Sequence, residues 1–96
     1  MISNPVKVKA LDDYKIQLAF EDGIKGEIDL SYLKGKGIFK AWDNYSTFKK
    51  VYIDEETKSI AWSREIEIDS NKLYLELIGK TFEQWKQENL EYASDK

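Results

Sequence analysis

Residues 14–30 have the sequence YKIQLAFEDGIKGEIDL, and this stretch decides the fold. Apolar residues alternate with polar ones on both sides of a central Asp22-Gly23 pair. Alternation with a period of two is typical of a strand that is buried on one face and wet on the other. An Asp-Gly pair between two such runs favours a tight hairpin, because glycine adopts a positive φ without steric cost. The stretch therefore predicts an antiparallel hairpin.

The same alternation continues toward the N-terminus. Val6, Val8 and Ala10 are expected on one face of a further strand, with lysines opposite them. A tight turn at residues 11–14 would connect this strand to the hairpin. Residues 5–30 therefore predict a three-stranded meander.

Two more short strands are expected within residues 50–54 and 59–62, joined by a loop at 55–58. Together they would add a second, two-stranded piece to the sheet. Residues 65–68 alternate again, and they would either extend the strand or form a loop whose isoleucines point inward.

The last third predicts two helices. Asp69 or Ser70 can cap the first helix, and Gly79 can end it. A Thr-x-x-Gln capping box at residues 81–84 begins the second helix, which is expected over 82–93. The pattern predicts one α+β domain over residues 1–96, with a mostly antiparallel sheet of about five strands and the helices on one face.

The chain of 96 residues contains no histidine and no cysteine. These two side chains supply most zinc ligands and many nucleophiles and general bases near neutral pH. Their absence excludes zinc sites and the Ser-His-Asp and Cys-His arrangements. We therefore expect no cofactor, no bound metal and no enzymatic activity.

The net charge of −3 argues against a general nucleic-acid-binding protein, which is usually basic. No apolar run approaches the roughly 20 residues that a membrane-spanning helix needs, and residues 1–10 do not resemble a signal peptide. We expect a cytoplasmic protein without a membrane partner.

A set of residues in a characteristic order extends over most of the chain. It comprises Val6-x-Val8, Leu18-x-Phe20-x-Asp22-Gly23, Gly26, Asp29-Leu30, Phe39, Phe48, Val51, Ile60-x-Trp62, Asp69 and Leu73-Tyr74. Over residues 6–78 this pattern resembles a family of short bacterial proteins known only as a domain of unknown function. The resemblance implies a small α+β fold with a meander, a second hairpin and a helix.

The resemblance implies little chemistry. Members of the family are often encoded beside another small protein, and some of these pairs look like toxin–antitoxin modules. The chain departs from the family where Ser63-Arg64-Glu65 replaces a frequent Pro-Asn-Gly, and where helix 82–93 extends past the usual end. Some fused relatives carry a helix-turn-helix domain; these 96 residues show no such pattern, so we do not expect the DNA-binding role of those relatives here.

The C-terminal helix carries the first candidate site. Phe82, Trp85 and Tyr92 lie on roughly one stripe of this helix. The stripe either packs on the chain's own core or presents anchors to another molecule, since tryptophan and tyrosine dominate interface hot spots. The leading hypothesis is a non-enzymatic module that binds a protein partner through Trp85 and Tyr92 or through the exposed strand face. A homodimer is a further option.

Residues 34–50 carry the alternative site, with five lysines against one acidic residue. Lysines interleaved with aromatic residues are typical of surfaces that hold single-stranded nucleic acid. The candidate contacts are Lys34, Lys36, Lys40 and Trp42. The competing interpretation is that the aromatic rings are core and the lysines cover them with their stems.

The acidic residues are expected to be structural. Asp22 is best explained as a turn residue that accepts backbone hydrogen bonds, and Asp29 as a cap for the turn after Leu30. The acidic run at 65–69 and the acids at 54–56 could in principle hold calcium or magnesium. We interpret them as the solvated face of an edge strand.

Overall fold

The computed structural model describes residues 3–94 of the chain, and the side chains of residues 3–88. The strands are β1 (Pro5–Leu11), β2 (Lys15–Phe20), β3 (Lys25–Asp29), β4 (Tyr52–Ile53), β5 (Ile60–Ala61) and β6 (Glu67–Ile68). The α-helices are α1 (Tyr45–Phe48), α2 (Ser70–Ile78) and α3 (Phe82–Ser94), and short 3-10 turns cover Asp12–Tyr14, Ser31–Leu33 and Gly37–Asp43. The α+β class predicted from the sequence is confirmed.

The meander forms as predicted, with β1, β2 and β3 in antiparallel order. The hairpin between β2 and β3 turns at Gly23, whose φ is +92°. Asp22 supports this turn, because its Oδ1 accepts a hydrogen bond from the Ile24 amide at 3.0 Å. The interpretation of Asp22 as a turn residue is confirmed.

One residue of the meander departs from the expected alternation. The register of β1 against β2 shifts between Pro5 and Lys7, so Val6 lies in a β-bulge. Val6 is 55% exposed, whereas Pro5 is buried. The placement of Val6 on the core face with Val8 was wrong, because the extra residue rotates the start of the strand.

The second hairpin does not join the first sheet. Strands β4, β5 and β6 form a separate three-stranded antiparallel sheet, and β4 lies near β1 without pairing with it. Residues 67–68 thus extend the hairpin into a third strand, and Ile66 just before it is buried. Over residues 3–94 the arrangement is two small sheets with six strands, where the sequence suggested one sheet of about five strands.

The helices begin and end where local chemistry dictates. Asp69 caps α2, with its Oδ1 accepting from the Asn71 amide at 3.0 Å. Gly79 ends α2 in the left-handed conformation, at a φ of +70°. The capping box before α3 is confirmed, since the Thr81 and Gln84 side chains each accept a hydrogen bond from the other residue's amide.

An aromatic cluster holds the two sheets and the connecting segments together. Trp42 and Phe48 are fully buried, and their ring centroids lie 5.0 Å apart. Trp62, which directly follows β5, packs on both of these rings. Tyr14 packs on Phe48 from the meander side and donates a hydrogen bond from its hydroxyl to the Trp42 carbonyl at 2.7 Å.

The two buried tryptophans differ in one respect that predicts different mutational costs. The Trp62 indole donates to the Phe48 carbonyl at 2.9 Å, whereas the Trp42 Nε1–H has no hydrogen-bond partner among the described residues. Both Trp→Phe changes lose ring volume, but only Trp62→Phe also leaves a buried carbonyl without its donor. We expect Trp62→Phe to lower the free energy of unfolding by about 1–2 kcal/mol more than Trp42→Phe, measured by urea denaturation. An equal or larger loss in Trp42→Phe would contradict this difference.

Candidate functional site

The first candidate site lies where α3 turns back onto α2. After Gly79, the Lys80 amide donates to the Leu75 carbonyl at 3.0 Å, which closes the end of α2. The capping box at residue 81 then begins α3 immediately, and α3 contacts α2. This short connection places the first turn of α3 beside the last turns of α2.

Two aromatic rings mark this surface. Phe82 is 55% exposed, and its ring stacks on that of Trp85 with a centroid distance of 6.0 Å. Trp85 is half-buried and packs against the hydrophobic core. The aromatic stripe of α3 thus serves the core through Trp85 and faces solvent through Phe82. The side chain of Tyr92, the other predicted partner contact, lies outside the described side chains.

A depression of about 460 Å³ adjoins Phe82. Leu75 and Phe82 contribute apolar surface to it, and the residues around them carry both signs of charge. The remaining lining residues are Asp69, Asn71, Lys72, Glu76, Lys80 and Thr81. An apolar centre within a mixed polar rim is the usual anatomy of a protein–protein contact surface. We call residues 69–85 around this depression the α2–α3 surface.

The predicted nucleic-acid residues differ in exposure. Lys34, Lys36 and Lys40 are exposed, and the Lys34 ammonium lies 4.8 Å from the centroid of the Tyr14 ring. Trp42 has no exposed surface, so it offers no face on which a base could stack. The placement of Trp42 in a binding surface was wrong, because its indole is a central part of the aromatic core. Only the charges of that site remain at the surface.

The carboxylates of Asp29 and Asp54 are engaged in turns. Asp29 accepts from the Ser31 amide at 2.8 Å, and hydrogen bonds from Ser31 hold the pKa of Asp29 below its usual value. Asp54 accepts from the amides of Glu56 and Thr57, and these bonds lower its pKa as well. A general acid needs the opposite shift. Among the described residues, no group of three acidic side chains is placed to hold a metal ion.

A long-range hydrogen bond went unpredicted. The Tyr74 hydroxyl on α2 donates to Asp22 Oδ2 in the β2–β3 turn at 2.6 Å. This bond is the largest cause of the lowered pKa of Asp22 and of the raised pKa of Tyr74. Both residues belong to the family-like pattern, yet 52 positions separate them, and no local periodicity connects such residues.

Within the described part of the chain, no helix is both long enough and apolar enough to cross a membrane. Comparison with curated proteins and with solved structures gave no match. The profile of one protein family matches residues 5–79, which include both sheets and α2 but end before α3. This match extends over more than half of the sequence. The chain therefore belongs to the DUF2442 family, whose description is "protein of unknown function".

Proposed function

We propose that this chain is a cytoplasmic, non-enzymatic module that binds a protein partner, as the antitoxin-like or accessory member of a two-gene pair. One observation carries the proposal. Phe82 is 55% exposed and stacks on Trp85 at the rim of the α2–α3 surface. The partner surface is this region, and Phe82 joins the sequence-predicted Trp85 as its anchor.

The chemistry of the surface favours a protein as the ligand. Single exposed apolar residues are common, but Phe82 adjoins both a second ring and an apolar depression. Aromatic side chains that enter a dry pocket supply most of the binding energy in protein interfaces. The surrounding Lys72, Glu76 and Lys80 form a rim that can pair with charges of either sign.

The position of the surface along the chain supports a role in partner choice. Leu75 belongs to the family-matched part, whereas Phe82 and Trp85 belong to α3, which lies beyond residue 79. A helix outside the shared domain is well placed to give this member its own partner. The pairing with a second gene product rests on the resemblance to family members that are encoded beside another small protein.

The carboxylates support the non-enzymatic part of the proposal. Asp22, Asp29 and Asp54 accept backbone hydrogen bonds in turns, and the pKa of each is lowered. Hydrogen bonds within the fold, from Tyr74 to Asp22 above all, hold these carboxyl groups in the ionised form, while acid catalysis calls for a raised pKa.

The test compares three tagged proteins in affinity capture from nuclease-treated lysate of the host, with mass spectrometry as the readout. The wild type is expected to capture one small stoichiometric partner, the product of the neighbouring gene. Phe82→Asp is expected to weaken binding of that purified partner by about tenfold or more, because a carboxylate cannot enter an apolar contact.

The matched control is Ile38→Asp, since Ile38 is equally exposed at 55% but lies in the 3-10 segment Gly37–Asp43. Ile38→Asp is expected to bind the partner with the same affinity as the wild type. Its melting temperature is expected to equal that of Phe82→Asp, so that the two variants differ only in binding. If all three proteins are folded and bind the partner equally well, the α2–α3 surface is not the binding surface. If the wild type captures no protein and light scattering shows a dimer, the partner is a second copy of this chain and not a different protein.

A further inference from the structure

The outer face of the first sheet carries a row of residues whose arrangement has no role in the core. The register places Lys7 on β1 opposite Ala19 on β2, and Ala19 opposite Lys25 on β3. Directly opposed residues share a face of the sheet, so the methyl group of Ala19 lies between two lysines. The next row begins with Lys9 opposite Gln17.

The small side chain of Ala19 leaves a depression between the longer ones. Its volume is about 600 Å³, and it is lined by Lys7, Val8, Lys9, Gln17, Leu18, Ala19 and Lys25. Neighbouring strands lie about 4.8 Å apart, so the backbones of Lys7 and Lys25 are separated by roughly 10 Å. The long side chains of these two lysines can therefore both reach the same chemical group of a ligand bound above Ala19.

Among the side chains of residues 3–88, the lysines of this face form no ion pair. The ion pair within this described range joins Lys80 and Glu88, neither of which belongs to the first sheet. The acids nearest in the register are Glu27, opposite Gln17 in the middle of β3, and Asp29, opposite Lys15 at the other end of β3. Glu21, in the adjoining turn, accepts a hydrogen bond from the Asn4 amide. The end of the sheet around Ala19 is thus basic in a chain whose net charge is −3.

We propose that the depression over Ala19 binds a multiply charged phosphate group, of the kind carried by inorganic pyrophosphate and by nucleoside diphosphates. Lysine ammonium groups bind phosphate as point charges, and three of them from two strands match an anion with several oxygens. The Gln17 amide can donate a further hydrogen bond. The lining contains no aromatic ring on which a base could stack, so the recognised part is the phosphate. This proposal is independent of the α2–α3 surface.

The test is a titration of the full chain with sodium pyrophosphate at constant ionic strength, followed by backbone amide NMR shifts. Saturable shifts are expected at residues 7, 9, 17, 19 and 25. The double variant Lys7→Gln/Lys25→Gln is expected to bind about tenfold more weakly, because it removes two of the three ammonium groups that line the depression. The matched control Lys49→Gln/Lys50→Gln removes the same charge elsewhere and is expected to stay within about twofold of the wild type.

A second variant keeps all the lysines. Ala19→Glu places a carboxylate in the depression, on the half-buried outer side of a strand, and is expected to abolish the shifts. A parallel titration with a nucleoside diphosphate separates the sources of the ligand: equal affinity supports phosphate alone, and tighter binding supports a nucleotide. The absence of saturable shifts at about 10 mM pyrophosphate, or equal losses in the double variant and its control, would overturn the proposal.

Discussion

Replacing Phe48 with alanine is expected to lower the free energy of unfolding by about 3–5 kcal/mol. Phe48 is fully buried, and its ring contacts four others: Tyr14, Trp42, Tyr45 and Trp62, at centroid distances of 5.0 to 5.8 Å. Truncation removes these contacts and leaves a cavity between rigid rings that cannot collapse into it. A domain of this size has a total stability of about 5–14 kcal/mol, so the loss would be a large fraction of it.

Urea denaturation followed by tryptophan fluorescence measures this loss directly. The control is Tyr52→Ala, because Tyr52 is an aromatic residue with 41% of its surface exposed. That variant is expected to change the free energy of unfolding by about 1 kcal/mol or less. A loss below about 1 kcal/mol in Phe48→Ala would show that the aromatic cluster is not the centre of the fold.

Replacing Tyr74 with phenylalanine is expected to lower the free energy of unfolding by about 1–2 kcal/mol at neutral pH. The change removes the hydroxyl that donates to Asp22 and keeps the ring, which packs edge-to-face on Phe20 at 5.0 Å. The lost bond fastens the β2–β3 turn to α2. Because Asp22 is exposed, water can hydrogen-bond to its carboxylate once the Tyr74 hydroxyl is gone. The expected loss of stability is therefore at the lower end of the range for hydrogen bonds to charged groups.

The pH dependence of this difference follows from the two pKa shifts. In the folded protein the pKa of Asp22 lies below its usual value of 3.8. The hydrogen bond from Tyr74 therefore contributes its full stability above pH 3.8. The contribution is lost as the pH falls through the lowered folded pKa. In the folded protein the pKa of Tyr74 lies above its usual value of 10.0. On the alkaline side, the stability that the hydrogen bond contributes is therefore complete below pH 10.0, and it is lost as the pH rises through the raised pKa.

The stability gap between wild type and Tyr74→Phe should therefore be widest between these limits and should narrow as the pH falls below 3.8. Denaturation midpoints measured across the acid range check this. Tyr52→Phe is the matched control, since the Tyr52 hydroxyl makes no hydrogen bond to the described residues, and it should show no gap at any pH. A gap for Tyr74→Phe that stays constant below pH 3.8 would contradict the assignment to Asp22.

The elements that sequence reasoning predicted correctly depend on neighbouring residues. The Asp22-Gly23 turn, the Gly79 helix end and the capping box at residue 81 each need only contacts within a few positions. The meander follows from alternation and from its short turns. Local propensity and hydrophobic period agree in these segments, and such agreement makes a prediction dependable.

The features that escaped prediction depend on distant residues. The separation of the second hairpin into its own sheet is a matter of packing between β1 and β4, which no pattern within either strand records. The bulge at Val6 is a one-residue shift of register, and the alternation of Val6 and Val8 in the sequence gives no sign of it. The bond from Tyr74 to Asp22 spans 52 positions.

The candidate site was predicted in part. Sequence spacing identified the aromatic stripe of α3, but it could not divide that stripe into the half-buried Trp85 and the exposed Phe82. The lysines around residue 42 suggested a nucleic-acid-binding surface that includes Trp42. The sequence shows where the charges are, but it does not show which aromatic rings are buried. Trp42 occupies the core because the rings of Phe39, Phe48 and Trp62 surround it.

Hydrogen–deuterium exchange on the chain, alone and with its captured partner, tests the central claim most directly. The account predicts slower exchange on binding at the end of α2 and the start of α3, around Leu75, Phe82 and Trp85. Phe82→Asp should remove this protection, and Ile38→Asp should keep it. Unchanged exchange at the α2–α3 surface in a stable complex, with protection confined to another part of the chain, would contradict the claim.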